Sequence, residues 1–146
     1  MAKLEYLGTH SSETSLKIPY YLDSVQAGFP SPADDYMDKK LDLNEHLIAH
    51  PAATFYCRVS GSSMQSAGIF DGDLLIVDRS LEPEHMNIVV AIVDGEMTCK
   101  IIDTHKCCLL AANDAYPAIP IDNDTSMIIE GVVIHSIRSH RRVRTR

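Results

Sequence analysis

From Ala53 onward the apolar residues fall in short runs bounded by turn residues, the pattern of strands rather than helices. Phe55-Tyr56-Cys57-Arg58-Val59 is rich in strand formers. Asp71-Gly72-Asp73 makes a turn, and Leu74-Leu75-Ile76-Val77 is an apolar run of the length of a buried strand. Glu82-Pro83-Glu84-His85 reads as a loop, and residues 87–93 as a second buried strand. Asp94-Gly95 between two apolar runs predicts a two-residue hairpin turn, which puts Lys100 on the return strand. Alternation there sets Thr98, Lys100 and Ile102 on one face and Met97, Cys99 and Ile101 on the other. Both faces carry apolar residues, so partial burial of Lys100 is expected. Residues 109–112 predict a short strand, 113–117 a turn, and 127–137 a long final strand in which Gly131 marks a bulge or a close approach.

Before Ala53 the pattern changes. Residues 9–15 are polar and aperiodic, and prolines at 19, 30 and 32 interrupt any helix or central strand. Residues 20–25 suit either an extended run or one or two helical turns. Ala27-Gly28-Phe29-Pro30 has the composition of a turn. Residues 41–50 predict one short helix, with Asp42 as cap, Glu45 completing a capping box and Pro51 ending it. The expected organisation is an arm over 1–40, a β domain over 41–137 and a basic tail over 138–146. The fold class is mostly β, with antiparallel pairing.

Composition narrows the function classes. At 146 residues the chain suits one domain with a core, plus the arm. A formal charge of −7 argues against a general nucleic-acid binder. Arg138, Arg141, Arg142, Arg144 and Arg146 crowd the C-terminus and read as a solvated tail. No apolar run reaches the ~18 residues of a membrane span, and residues 1–6 lack the apolar stretch of a signal peptide, so a cytoplasmic protein is expected. Cys57, Cys99, Cys107 and Cys108 show no CxxC spacing and are expected to be small core hydrophobes, not zinc ligands. Glu45, His46 and His50 are not in the order of a zinc hydrolase, and no metal or other cofactor is expected.

The candidate chemistry lies in two stretches. Ser60-Gly61-Ser62-Ser63-Met64 ends the first strand with small residues that let a peptide approach closely, and Ser63 would sit exposed there as a nucleophile. The same residues also suit a plain polar corner. A hydroxyl attacks an amide poorly unless a base takes its proton. Lys100 can be that base if burial disfavours its ammonium form; otherwise it is an ordinary outward-facing strand lysine.

Five ordered blocks turn these fragments into a resemblance: Ala27-Gly28-Phe29-Pro30-Ser31-Pro32-Ala33, residues 50–55, Ser60-Gly61-Ser62-Ser63-Met64, residues 71–78, and Gly131-Val132-Val133-Ile134-His135. Together they resemble the LexA-type self-cleaving serine peptidases, in particular the UmuD/MucA-type branch, from about Ile18 to about His135. The resemblance implies a compact, strongly curved β domain and a homodimer. It makes Ser63 the nucleophile and Lys100 the general base of a Ser-Lys dyad. Ala27-Gly28 is then the bond the protein cuts in itself, with backbone N–H groups near Ser62 and Ser63 for the oxyanion. It further implies stimulation by the RecA–single-stranded-DNA filament and a UmuC-type error-prone polymerase as partner. No helix-turn-helix precedes the β domain, which argues against a sequence-specific repressor. One departure stands out: the family's usual Gly after the histidine is Met86 here, which would strain that turn if φ is positive. Two rivals remain, a non-catalytic interaction module with an idle dyad and a signal-peptidase-like enzyme acting on other proteins.

Overall fold

In the computed structural model the described residues are 3–11, 17–21, 37–113, 115–122 and 126–141, with 17–21 and 37–40 described by backbone alone. They divide into two compact units, residues 11–51 and the remainder. In the first, β2 (Lys17–Tyr21) pairs antiparallel with β3 (Met37–Asp42), and α1 (Leu43–Leu47) follows. Asp42 caps α1 by accepting from the Asn44 N–H at 2.9 Å, as its short polar side chain in extended backbone allows. The helix is shorter than the sequence predicts and ends at Leu47.

The second unit holds the β domain. Its strands are β1 (Lys3–Thr9), β4 (Thr54–Ser60), β5 (Leu74–Asp78), β6 (Ile88–Val93), β7 (Glu96–Asp103), β8 (Cys108–Leu110), β9 (Ile119–Pro120) and β10 (Met127–Ile137). All pair antiparallel, in the order β1-β4-β5-β10-β6-β7-β8-β9. β1 also meets β7, where Lys3 lies opposite Thr98, and this pairing closes the sheet on itself. The expected curved antiparallel domain is therefore what the chain forms. Asp94 (φ 49°) and Gly95 (φ 82°) supply the two left-handed residues that a tight β6–β7 hairpin turn demands.

Two core clusters form on opposite faces of β6 and β7. Phe55, Cys57, Val59, Met64, Ile69, Leu75, Val77, Val90 and Cys99 make the first; Val89, Ala91, Ile102, Leu109 and Val132 make the second. Successive residues of these strands thus point into different clusters, which explains their continuous apolar runs. At Gly131 the β10 register shifts, and an added Cβ would lie 2.8 Å from Val77 Cγ1 and 2.9 Å from the Asp78 carbonyl oxygen. Only glycine lets β10 and β5 approach there.

Met86 has φ 67° and is exposed. Its N–H donates to the Ile102 carbonyl at 2.7 Å, and Asn87 closes the loop by accepting from the Glu84 N–H at 2.9 Å. These bonds hold a left-handed conformation that costs an L-residue about 1–2 kcal/mol. Glycine relieves that cost but loses about 0.4–1 kcal/mol through the unfolded chain. Met86→Gly is therefore expected to raise the melting temperature by about 2–4 °C. Thermal unfolding checks this; an unchanged or lower midpoint would mean that the turn is not strained.

Among the cysteines, Cys57 and Cys99 are buried as expected, but Cys107 is exposed in the β7–β8 turn with φ 51° and Cys108 is only partly covered. A three-residue strand at the sheet margin leaves them outside both clusters. Among the described residues no helix is long and apolar enough to cross a membrane.

Candidate active site

β4 alternates as its sequence requires, with Phe55, Cys57 and Val59 buried and Arg58 and Ser60 exposed. Beyond Ser60 the chain turns at Gly61, whose φ of 102° suits glycine and whose N–H donates to Asp71 Oδ1 at 2.9 Å. Val59 meanwhile exchanges backbone hydrogen bonds with Gly72 and Asp73 at 2.8 and 2.9 Å. Residues 60–73 therefore form an excursion pinned at its base. Its interior is anchored by Met64 and Ile69, both in the first core cluster.

Ser63 precedes this anchor and is itself fully buried, not exposed at the strand end as the sequence suggests. The reason is Met64: drawing that side chain into the core carries the adjoining serine inward. The small residues around Ser63 suit an accessible corner, but the depth of the serine is set by the packing of Met64.

A second clasp on the excursion was not foreseen. Asp73, buried, accepts from the Phe70 N–H at 2.8 Å and from Arg138 Nε at 3.1 Å. Arg138 Nη2 donates to the Gly68 carbonyl at 2.9 Å, and its guanidinium lies 3.8 Å over the Phe70 ring. Arg138, read from the sequence as the start of a solvated tail, is thus part of the domain. The Asp71-Gly72-Asp73 pair of acids was the available signal that this turn needs a cation.

Lys100 lies opposite Val89 in the β6–β7 ladder and is buried. Desolvation holds its ammonium pKa below the ordinary lysine value, with the neighbouring Cys99 acting in the opposite sense. Burial also pushes the Cys99 thiol up to about 12. Partial burial of Lys100 is what two-sided apolar alternation in β7 anticipates; the structure makes it nearly complete.

The register relates the two residues. Lys3 sits opposite Ser60 of β4 and opposite Thr98 of β7. Both strands run antiparallel to β1, so they leave Lys3 in the same direction. The registers therefore bring Ser60 and Thr98 to one end of the closed sheet; Ser63 follows Ser60 past the turn at Gly61, and Lys100 lies two residues along β7 from Thr98. A surface cleft of about 410 Å³ adjoins this end, lined by residues that include Lys3, Glu5, Arg58, Ser60 and Asp71, but neither Ser63 nor Lys100 lines it. Ala27 and Gly28 lie outside the described residues.

Of the described residues, His85, Asp103 and His105 could hold a metal ion, their donor atoms lying within 4.8 Å of one another. The arrangement is instead that of a braced turn. The two imidazoles stack at 3.7 Å, His85 Nδ1 accepts from the Thr104 N–H, and Asp103 Oδ1 accepts from His105 and Lys106 N–H groups. These hydrogen bonds account for the arrangement without calling on an ion.

The sequence matches the Peptidase S24-like family over residues 19–134, most of its length. The chain belongs to this family. Among curated relatives it is 46% identical to Protein MucA of Salmonella typhimurium over 125 residues, covering 84% of this chain and 86% of that one. Protein ImpA of the same species is 43% identical over 134 residues, covering 92% of each. LexA repressor 1 of Pseudomonas syringae is 36% identical over 129 residues, which cover 86% of this chain and 62% of the repressor. Within the S24 peptidases the chain thus sits with the UmuD/MucA-type proteins, as the five sequence blocks implied, and LexA is more distant.

Proposed function

We propose that this S24 peptidase cuts its own arm between Ala27 and Gly28, with Ser63 as nucleophile and Lys100 as general base. The observation that supports the reading is the burial of both Ser63 and Lys100, with the lysine pKa lowered by that burial. Neutral Lys100 takes the Ser63 proton as Oγ attacks the Ala27 carbonyl. Backbone N–H groups of Ser62 and Ser63 receive the oxyanion. Lys100 then passes the proton to the departing Gly28 amine, and water hydrolyses the acyl-enzyme. In this reading the bond is supplied from the same subunit or from the other subunit of a homodimer.

The likeness to MucA and ImpA supports the cellular setting. In this reading the protein acts in the SOS response to DNA damage in the cytoplasm. The RecA–single-stranded-DNA filament stimulates the cut by favouring the docked arm. The processed form then works with a UmuC-type polymerase in translesion synthesis. The rival is an interaction module with an idle dyad, and the enclosure of Ser63 away from the surface cleft is what favours it.

Incubation with recombinase, single-stranded DNA and a slowly hydrolysed ATP analogue, followed by intact-mass analysis, decides between them. The expected products are residues 1–27 and 28–146, and Gly28→Glu is expected to abolish them. No cut, or a cut elsewhere, would overturn the assignment of the bond.

A further inference from the structure

Residues 3–10 lie on the N-terminal side of Ala27-Gly28, yet they are built into the β domain. β1 pairs with β4 at six positions, from Lys3 opposite Ser60 to Thr9 opposite Phe55. The His10 N–H extends the ladder to the Thr54 carbonyl at 2.9 Å, and the His10 ring is hydrogen-bonded to Tyr56. Leu4 packs against the first core cluster, and the Tyr6 ring lies 5.7 Å from that of Phe55. Leu4 and Tyr6 share a face two residues apart, and a bulge follows at Gly8, whose φ of 135° an L-residue rarely adopts. Without β1, β4 and the Thr98 end of β7 would each present an unpaired edge.

We infer that the space between β4 and β7 is a peptide-binding site, and that after cleavage it retains the N-terminal fragment as a non-covalent ligand. The inference rests on the proposed cut at Ala27-Gly28. The ligand class is an extended peptide with an apolar residue two positions before an aromatic one and glycine at the bulge. Recognition is by strand addition: backbone hydrogen bonds hold the peptide and the Leu4 and Tyr6 positions select it. The cut changes exchangeability, not contacts. In the intact chain β1 is tethered, at an effective concentration in the millimolar range. Once the tether is severed, β1 competes only at its own concentration, so another extended segment can replace it. Cleavage thereby converts a closing strand into a displaceable one.

The test severs the arm from outside. A site for a sequence-specific protease is inserted after Gly28 in the full-length Ser63→Ala protein, so the result does not depend on self-cleavage. After digestion at micromolar protein, gel filtration and native mass spectrometry are expected to find the two pieces together. A fluorescent peptide of residues 1–11 is expected to enter the nicked protein and to be excluded from the uncut one. Leu4→Glu in the arm is expected to weaken retention at least about tenfold, since it sets a charge against the apolar cluster on which the partly buried Leu4 packs. That variant alters only the fragment, and circular dichroism of the uncut protein checks its fold. Immediate separation of the wild-type pieces, or equal peptide uptake by cut and uncut protein, would overturn the inference. Retention unaffected by Leu4→Glu would also overturn it, because the fragment would then be held through β2 and β3. Absence of self-cleavage in the wild type would instead count against the proposed bond and leave these results standing.

Discussion

Ser63→Ala is expected to fold and to lose self-cleavage by at least about a thousandfold, because removing the nucleophile of such a pair leaves only binding and oxyanion stabilisation. Ser63 is buried, so the substitution is not silent for stability. A buried hydroxyl has a hydrogen-bonding partner, and stranding that partner costs about 1–3 kcal/mol. Loss of activity must therefore be read beside a thermal melt. A variant that melts within a few degrees of wild type and yields no 28–146 product under activating conditions supports the assignment. A variant that cuts at the wild-type rate removes Ser63 from the mechanism and makes Ser62 the next candidate.

The rate of unstimulated cleavage is expected to climb with pH, about tenfold per unit, until it levels off at the pKa of Lys100. Desolvation lowers that pKa, so the plateau should begin below the ordinary lysine value of about 10.4. The same shift sets a stability trend. Between the lowered folded value and the unfolded one, the unfolded chain binds more protons, so stability rises as pH climbs through that window. Lys100→Arg keeps its charge at every accessible pH and should be inactive throughout. It also forces a larger cation into a buried site, so Lys100→Met serves as the folded control. Lys100→Met is expected to be inactive too, and to lose the pH-dependent gain in stability. First-order rates from about pH 7 to 11 decide the matter. A flat wild-type profile, or cleavage by Lys100→Arg at the wild-type rate, would return the chain to the interaction-module reading.

The sequence was most legible where one local rule governed. The Asp94-Gly95 turn, the Asp42 cap and the span of β10 follow from turn chemistry, capping and apolar run length. The strain at Met86 followed from comparing one residue with a family pattern, and φ bears it out. What the sequence hid were features made by distant partners. Residues 3–9 carry no strong alternation, because β1 buries few side chains and is held by its neighbours' backbones. The depth of Ser63 depends on where Met64 lands, and the role of Arg138 depends on a turn 65 residues earlier. Such contacts leave no periodic trace, since each partner obeys its own local pattern.

The clasp between Arg138 and Asp73 also moves the boundary of the basic tail. With Arg138 committed to the domain, the arginines that remain are Arg141, Arg142, Arg144 and Arg146. Setting those four aside takes the formal charge from −7 for the chain to −11 for residues 1–138. The molecule is electrostatically two-signed along its length, which the net value conceals. By formal charge, residues 1–138 favour a cationic partner and residues 139–146 an anionic one.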